Sequence, residues 1–159
     1  MTALIVYDSV FGNTERIALA MAQALPAEMA AQAIKVGQVQ PGQLNGLQLL
    51  LVGSPTRAFR PTPAAVQWLK GLPAGSLANT RVSAFDTRIA PEEIKNALLR
   101  RLISWLGYAE KGISAQLRRA AGVSTVPSAG FFVLAAEGPL KEGELGRAAQ
   151  WAQELARGL

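Results

Sequence analysis

Cysteine and histidine are both missing from the 159 residues. Without cysteine the chain forms no disulfide, offers no thiolate nucleophile and holds no metal through sulfur. Without histidine it lacks the commonest general base and the commonest metal ligand. Redox chemistry in such a chain has to come from a bound cofactor. Long apolar runs are also missing: none approaches the roughly 18 residues that a membrane span requires, and Asp8 cuts the first run short before it could serve as a secretory h-region. The expectation is a cytoplasmic chain with no membrane partner. The net charge of +5 and the pI near 10.1 are not gathered into a basic stretch. Arg57, Arg60, Arg81, Arg88, Arg100, Arg101, Arg118 and Arg119 are scattered, and no helix-turn-helix or aromatic RNA-binding signature accompanies them. Nucleic acid is therefore not an expected partner; charge of this kind steers an acidic redox partner or an anionic ligand.

Half of the residues are hydrophobic, which is inconsistent with disorder and sufficient for a real core. A single domain over residues 1–159 is expected. The chain is organised around Leu4 to Leu25. Leu4, Ile5, Val6 and Tyr7 form a short β-branched and aromatic run suited to a strand buried on both faces. Asp8 to Asn13 interrupt it. Thr14 is placed to cap a helix whose apolar residues Ile17, Ala18, Met21, Ala24 and Leu25 recur at helical spacing until Pro26. A helix start directed out of a strand end, with the hydroxyls of Ser9 and Thr14 and the close backbone approach that Gly12 allows, is suited to cradle a phosphate without any cation; taken alone, the same stretch reads equally well as the structural turn with which many α/β chains begin.

Further along, Ala33 to Val36 reads as a short edge strand carrying Lys35. The turn-rich Pro41 to Gly46 leads into Leu47–Val52, the strongest strand, which ends at Gly53-Ser54-Pro55-Thr56. The loop Arg57 to Pro63 is stiffened by two prolines and presents Phe59. Ala64 to Leu72 is a short helix, and Arg81 to Phe85 a fourth strand ending in a loop of Asp86, Thr87 and Arg88. Pro91 predicts a long helix to Leu106, with Ile94, Leu98, Leu102, Trp105 and Leu106 on one face. A second helix follows around Ile113 and Leu117 and closes at Gly122. Gly130 to Leu134 is a fifth strand, and Glu142 to Leu155 a closing helix. Trp68, Trp105 and Trp151 fall on apolar helix faces and read as core. Alternating strands and helices imply parallel pairing through right-handed crossovers, hence a three-layer α/β sandwich. Ligands in such sheets lie beyond the carboxyl ends of the strands, and three of the five ends carry suitable loops: Ser9 to Thr14, Ser54 to Phe59, and Asp86 to Arg88.

Neither GxGxxG nor a P-loop lysine is present. Ser9-Val10-Phe11-Gly12-Asn13-Thr14 after an apolar strand, Gly53-Ser54-Pro55-Thr56 after the third strand, and the overall length resemble the flavodoxin-like FMN-binding family, across essentially the whole chain. The resemblance implies an αβα sandwich with a five-stranded parallel sheet in order 2-1-3-4-5, and FMN as cofactor. It assigns Ser9, Phe11, Gly12, Asn13 and Thr14 to the phosphate loop. Ser54, Pro55, Thr56, Arg57, Ala58 and Phe59 fall to one side of the isoalloxazine, and Phe85, Asp86, Thr87 and Arg88 to its other side and pyrimidine edge. Phe11 stands where many flavodoxins have a hydroxyl, which removes one phosphate hydrogen bond. Arg57 replaces an aromatic residue, and the loop has no glycine for a peptide flip.

Read physically, Phe59 is the stacking candidate. Arg57, Arg60 and Arg88 form a positive rim that favours reduced flavin. Asp86 either pairs with Arg88 or accepts from the ring. The Pro91 to Leu106 helix is either a lid or an oligomer surface. The implied activity is electron transfer, with a redox partner protein or a small-molecule acceptor. The alternatives are an FMN-dependent NAD(P)H:quinone-type oxidoreductase, or a flavodoxin-fold module that has lost its flavin.

Overall fold

The computed structural model describes residues 2–98, 101, 107–120 and 127–157. In chain order it contains β1 (Ala3–Tyr7), α1 (Asn13–Ala24), β2 (Gln32–Lys35), β3 (Leu49–Pro55), α2 (Pro63–Gly71), β4 (Arg81–Ile89), α3 (Ala109–Arg119), β5 (Ala129–Val133) and α4 (Glu144–Ala156). The strands form one sheet in the order β2-β1-β3-β4-β5, every pair parallel. This is the expected three-layer sandwich.

Strand alternation explains why these runs are apolar throughout. Side chains of successive residues point to opposite faces, and here both faces are covered. Ile5, Tyr7, Leu49, Leu51, Phe85 and Phe131 pack with Ile17 and Met21 of α1 and Ala148, Ala152 and Leu155 of α4. Leu4, Val6, Leu50, Val52, Val82 and Ala84 pack on the other face with Leu69 of α2 and Ile113 and Leu117 of α3. Trp151 and Trp68 are partly buried against these two clusters respectively, as expected for core-facing tryptophans, whereas Trp105 lies outside the described residues.

Two strands are longer than their apolar runs. β3 continues through Gly53, Ser54 and Pro55, and β4 through Asp86, Thr87, Arg88 and Ile89, the two pairing residue by residue from Leu49↔Arg81 to Pro55↔Thr87. The polar residues remain in the sheet because each finds a partner, as described below. The loop expected at Asp86 to Arg88 is thus strand, and its side chains divide between the two faces.

The helix expected from Pro91 is not formed at its start. Pro91–Glu93 makes a single 3-10 turn, residues 94–96 are irregular, and positions 97, 98 and 101 are helical. Ile94 is 8% exposed whereas Leu98 is 77% exposed, so two residues expected on one face point in opposite directions. Leu102, Trp105 and Leu106 lie outside the described residues.

Beyond β5 the chain folds back along its own edge strand. Lys141 N–H donates to Phe132 O at 2.9 Å and Leu134 N–H to Pro139 O at 3.0 Å. Phe132 N–H donates to the Glu144 carboxylate at 2.7 Å, and Arg147 donates to Gly130 O. These contacts occupy polar groups that an open edge would expose, and the fold-back carries residues 134–139 to the carboxyl edge of the sheet. Among the described residues, no helix is long and apolar enough to cross a membrane.

Candidate functional site

The β1 end continues its pairing by one residue, Asp8 N–H donating to Gly53 O at 3.0 Å, before the chain turns into α1. Gly12, at φ 83°, is the N-cap of α1, and no side chain accepts from the first turn. The expected cap, Thr14, is instead a buried first-turn residue. Its hydroxyl is shared with that of Thr87 at 2.8 Å, because a side chain at that position leans back toward the helix start and onto the sheet. Of two paired hydroxyls, only one hydrogen is used between them, so the pair retains a donor for a ligand.

Ser9 Oγ is buried with no hydrogen-bond partner, a state that costs on the order of 1–3 kcal/mol until an acceptor or donor arrives. Asn13 Nδ2 donates to Glu137 O at 3.0 Å, which ties the fold-back segment to the cradle. Tyr7 OH donates to Glu15 at 2.8 Å; burial, then Glu15, raises its pKa to about 12. The unmatched donors of Ser9 and the α1 start fit a phosphate group.

At the β3 end, Ser54 is fully buried and is not among the residues lining the two cavities described below. Its Oγ accepts from Thr62 N at 2.9 Å, and Thr62 caps α2 by accepting from Ala65 N. Ser54 therefore closes the loop on itself and acts as a positioning residue. Within that loop, Arg57 and Arg60 exchange backbone hydrogen bonds at 2.9 and 3.0 Å around a two-residue turn. Both central residues are left-handed, Ala58 at φ 46° and Phe59 at φ 67°, a geometry that favours Asn or Gly and costs about 1–2 kcal/mol per ordinary residue. Pinned by Ser54 and its own hydrogen bonds, the turn holds this strain at a cavity wall, as functional loops do.

The four β4 residues assigned to the site separate. Phe85 is fully buried. It meets Phe131 and Trp151 edge-on at 6.2 and 6.4 Å between centroids, and its ring covers Gly53, where an added Cβ would lie 2.1 Å from Phe85 Cζ. It packs in the core and is not among the residues that line the two cavities described below. Thr87 faces α1 and pairs with Thr14. Asp86 and Arg88 face α3.

Asp86, fully buried, accepts from Thr56 Oγ1 at 2.9 Å, Glu110 N at 3.2 Å and Arg88 Nε at 2.5 Å. Burial is the main reason its pKa is raised, to about 7; the Arg88 charge opposes the rise and the Glu110 carboxyl adds to it. Arg88 also reaches Glu110 Oε2 at 2.9 Å and lies 3.6 Å over the Tyr108 ring. It crosses Gly130, where a Cβ would come within 2.3 Å of Arg88 Cζ. Arg88 is thus neutralised inside the fold and drops out of the expected positive rim. Arg57 and Arg60 are exposed, and Arg57 sits 5.6 Å over Phe11, itself 46% exposed.

These strand ends enclose two adjoining cavities. The larger, about 380 Å³, runs from Phe11 past Pro55, Arg57 and Thr87 to Val133, Ala136 and Glu137. The smaller, about 230 Å³, is walled by Phe59, Ile94 and Tyr108. Thr56, Ala58, Arg88 and Ile89 line both. Phe59 is partly buried and faces the smaller cavity, while Phe11 faces the larger. Sequence reasoning missed Tyr108, Glu110 and Ala136; the turn-rich stretch Glu137 to Glu144 was open to being a border of the site, with no side chain to argue it from. Tyr108 and Glu110 carried only the signal of a helix start after Gly107.

No protein-family model matches the chain, and no curated protein matches it. Solved structures do. A flavodoxin from the Archaea, 18% identical, aligns over 99% of this chain and 98% of its own with a TM-score of 0.71. Oxidised flavodoxin 1 of Bacillus cereus, 12% identical, aligns over 100% and 99% with a TM-score of 0.74. Rubredoxin oxygen:oxidoreductase of Desulfovibrio gigas, 17% identical, covers 99% of this chain with 35% of its length, at a TM-score of 0.70. At these identities the likeness is one of architecture. The chain has the flavodoxin-like fold.

Proposed function

We propose that this chain is a single flavodoxin-like domain that binds FMN non-covalently and transfers electrons to a redox partner in the cytoplasm. The observation that carries the reading is the unpartnered buried Ser9 hydroxyl beside the uncapped start of α1, at the edge where three strand ends meet over a cavity. Those donors, with the spare Thr14/Thr87 hydrogen, would hold the phosphate. The larger cavity has room for the ribityl chain, and the Ala58–Phe59 turn and the apolar residues Ile89 and Ile94 would keep water from the ring. When bound, the flavin supplies one- and two-electron chemistry; the chain's own residues bind, orient and exclude water.

Titration of the purified protein with FMN, followed by flavin absorbance and fluorescence, tests the reading. Saturable binding is expected, and Ser9→Ala should weaken it by about tenfold, the value of one lost hydrogen bond to a charged group. Absence of binding would leave a flavin-free binding or sensing module, in which Phe11 covers the larger cavity. The apolar wall of Ile89 and Ile94 in the smaller cavity favours, as a second reading, a small-molecule acceptor of the quinone type. Bleaching of the bound flavin by NADPH without a partner reductase would support it.

A further inference from the structure

Two carboxylates share one guanidinium beside the cavities. Asp86 is fully buried and the Glu110 side chain is 10% exposed, while Arg88, 12% exposed, reaches both. With both acids ionised the cluster carries one uncompensated negative charge in a nearly dry environment, and an unpaired buried charge is strongly disfavoured. Among the described residues, no further cation relieves it. From β4 the facing group is Arg88, from α3 it is Glu110, and from the segment before α3 it is Tyr108, whose ring carries Arg88; the residue after β3 contributes the Thr56 hydroxyl, and β5 contributes Gly130. Although Arg88 lies near it, Glu110 Oε2 accepts no hydrogen bond, so the cluster has an acceptor waiting for a proton on its neighbour. Two residues connect the cluster to the cavities. Thr56 donates to Asp86 at 2.9 Å and, like Arg88, lines both.

We propose that Asp86 and Glu110 hold one proton between them and that this pair loads a proton when a flavin in the adjoining cavity is reduced. The coupling rests on the FMN reading. A one-electron reductant adds one negative charge to the flavin; the pair, whose one-proton site is about half filled near neutral pH, draws from solvent the fraction of a proton that fills it. One electron and up to about half a proton enter at pH 7, so the charge added near the sheet edge is cancelled in part. Linkage is reciprocal, so a loaded pair makes the electron easier to add. The raised pKa of Asp86 places the half-loaded point near neutrality, and burial is its leading cause.

The test uses the wild type, Asp86→Asn and Glu110→Gln. The second variant leaves Asp86 and Arg88 as a one-to-one pair and covers the case in which the first fails to fold. Infrared spectra of the flavin-free wild type are expected to contain a protonated-carboxyl band that disappears between pH 6 and pH 9 and is missing from both variants at pH 7. In dithionite titrations of the FMN-loaded proteins, the wild-type potential is expected to bend with pH relative to the variants. A tenfold change in proton affinity between flavin states corresponds to about 59 mV. Parallel potential curves in proteins that all bind FMN would overturn the coupling alone, and a wild type without the carboxyl band at pH 6 would overturn the shared proton. Failure of every protein to bind FMN would overturn the coupling together with the FMN reading, while the band would still report the proton.

Discussion

Asp86→Asn should make the flavin-free protein more stable in mild alkali. In the wild type the folded Asp86 binds its proton up to about pH 7, against a reference value of 3.8 in the unfolded chain. Between those values the native state holds more protons than the unfolded state, so stability falls as pH rises. The contribution is complete below about pH 4 and is lost as pH passes through the folded pKa. Integrated from pH 5 to pH 8, the loss is about 2–3 kcal/mol, which the sharing of the proton with Glu110 would reduce. For a chain of this size that corresponds to roughly 5–10 °C in Tm. Asparagine resembles the protonated acid. Its carbonyl, at the Oδ2 position, still accepts from Thr56 and from Glu110 N–H; its NH2 takes the Oδ1 position, where Arg88 Nε donated, so the guanidinium turns to Glu110 and pairs with it one to one, whatever the pH. The variant should therefore match the wild type at pH 5 and exceed it at pH 8, as measured by urea unfolding at both values. A difference between the two proteins that is unchanged from pH 5 to pH 8, or a wild type that gains stability over that range, would refute the shared-proton reasoning.

Three further outcomes are expected. Ser54→Ala leaves the buried Thr62 N–H without its acceptor and should cost about 1–3 kcal/mol in denaturant unfolding, with faster amide exchange confined to the 57–62 loop. Ala58→Gly relieves one left-handed residue at some cost in unfolded-chain entropy, for a net gain of about 0.5–1 kcal/mol in the same assay; a loss would show that the turn is not held at positive φ. Phe11→Thr restores a hydroxyl at the phosphate loop and should tighten FMN binding about fivefold, near 1 kcal/mol. Unchanged binding would place the phosphate elsewhere.

The fold was legible because its strands are covered on both faces. Leu4–Tyr7 and Leu47–Val52 read as unbroken apolar runs, and such runs have few alternatives to a central parallel strand. The extensions of β3 and β4 were not legible. Ser54, Asp86 and Thr87 look like loop residues until Thr62, Glu110 and Thr14 arrive from other elements to satisfy them, and no local pattern announces a long-range hydrogen bond. The start at Pro91 misled for a related reason: Ile94 turns inward to line the smaller cavity, which breaks the helical period that its neighbours suggest. Motif reading pointed to the Ser9 to Thr14 and Arg57 to Pro63 loops, yet it could not separate Phe85, a core ring, from Thr87, two residues on. Glu137 reaches the cradle only because the chain doubles back along β5.

The division of β4 between the two faces gives the site its logic. Thr87 shares a face with α1, where it pairs with Thr14 at the proposed phosphate end, whereas Asp86 and Arg88 share a face with α3 beside the smaller cavity. A slip of one residue in β4 would exchange these roles and direct Phe85 out of its core. Two glycines on neighbouring strands oppose that slip. Gly53 sits opposite Phe85 in the β3–β4 register, and Gly130 sits opposite Asp86 in the β4–β5 register. Each leaves space that one β4 side chain fills, the Phe85 ring over Gly53 and the Arg88 guanidinium over Gly130. A methyl group at either position would collide with that side chain. The same two small residues therefore fix the register of the sheet and bring the charged cluster to the side of the cavity.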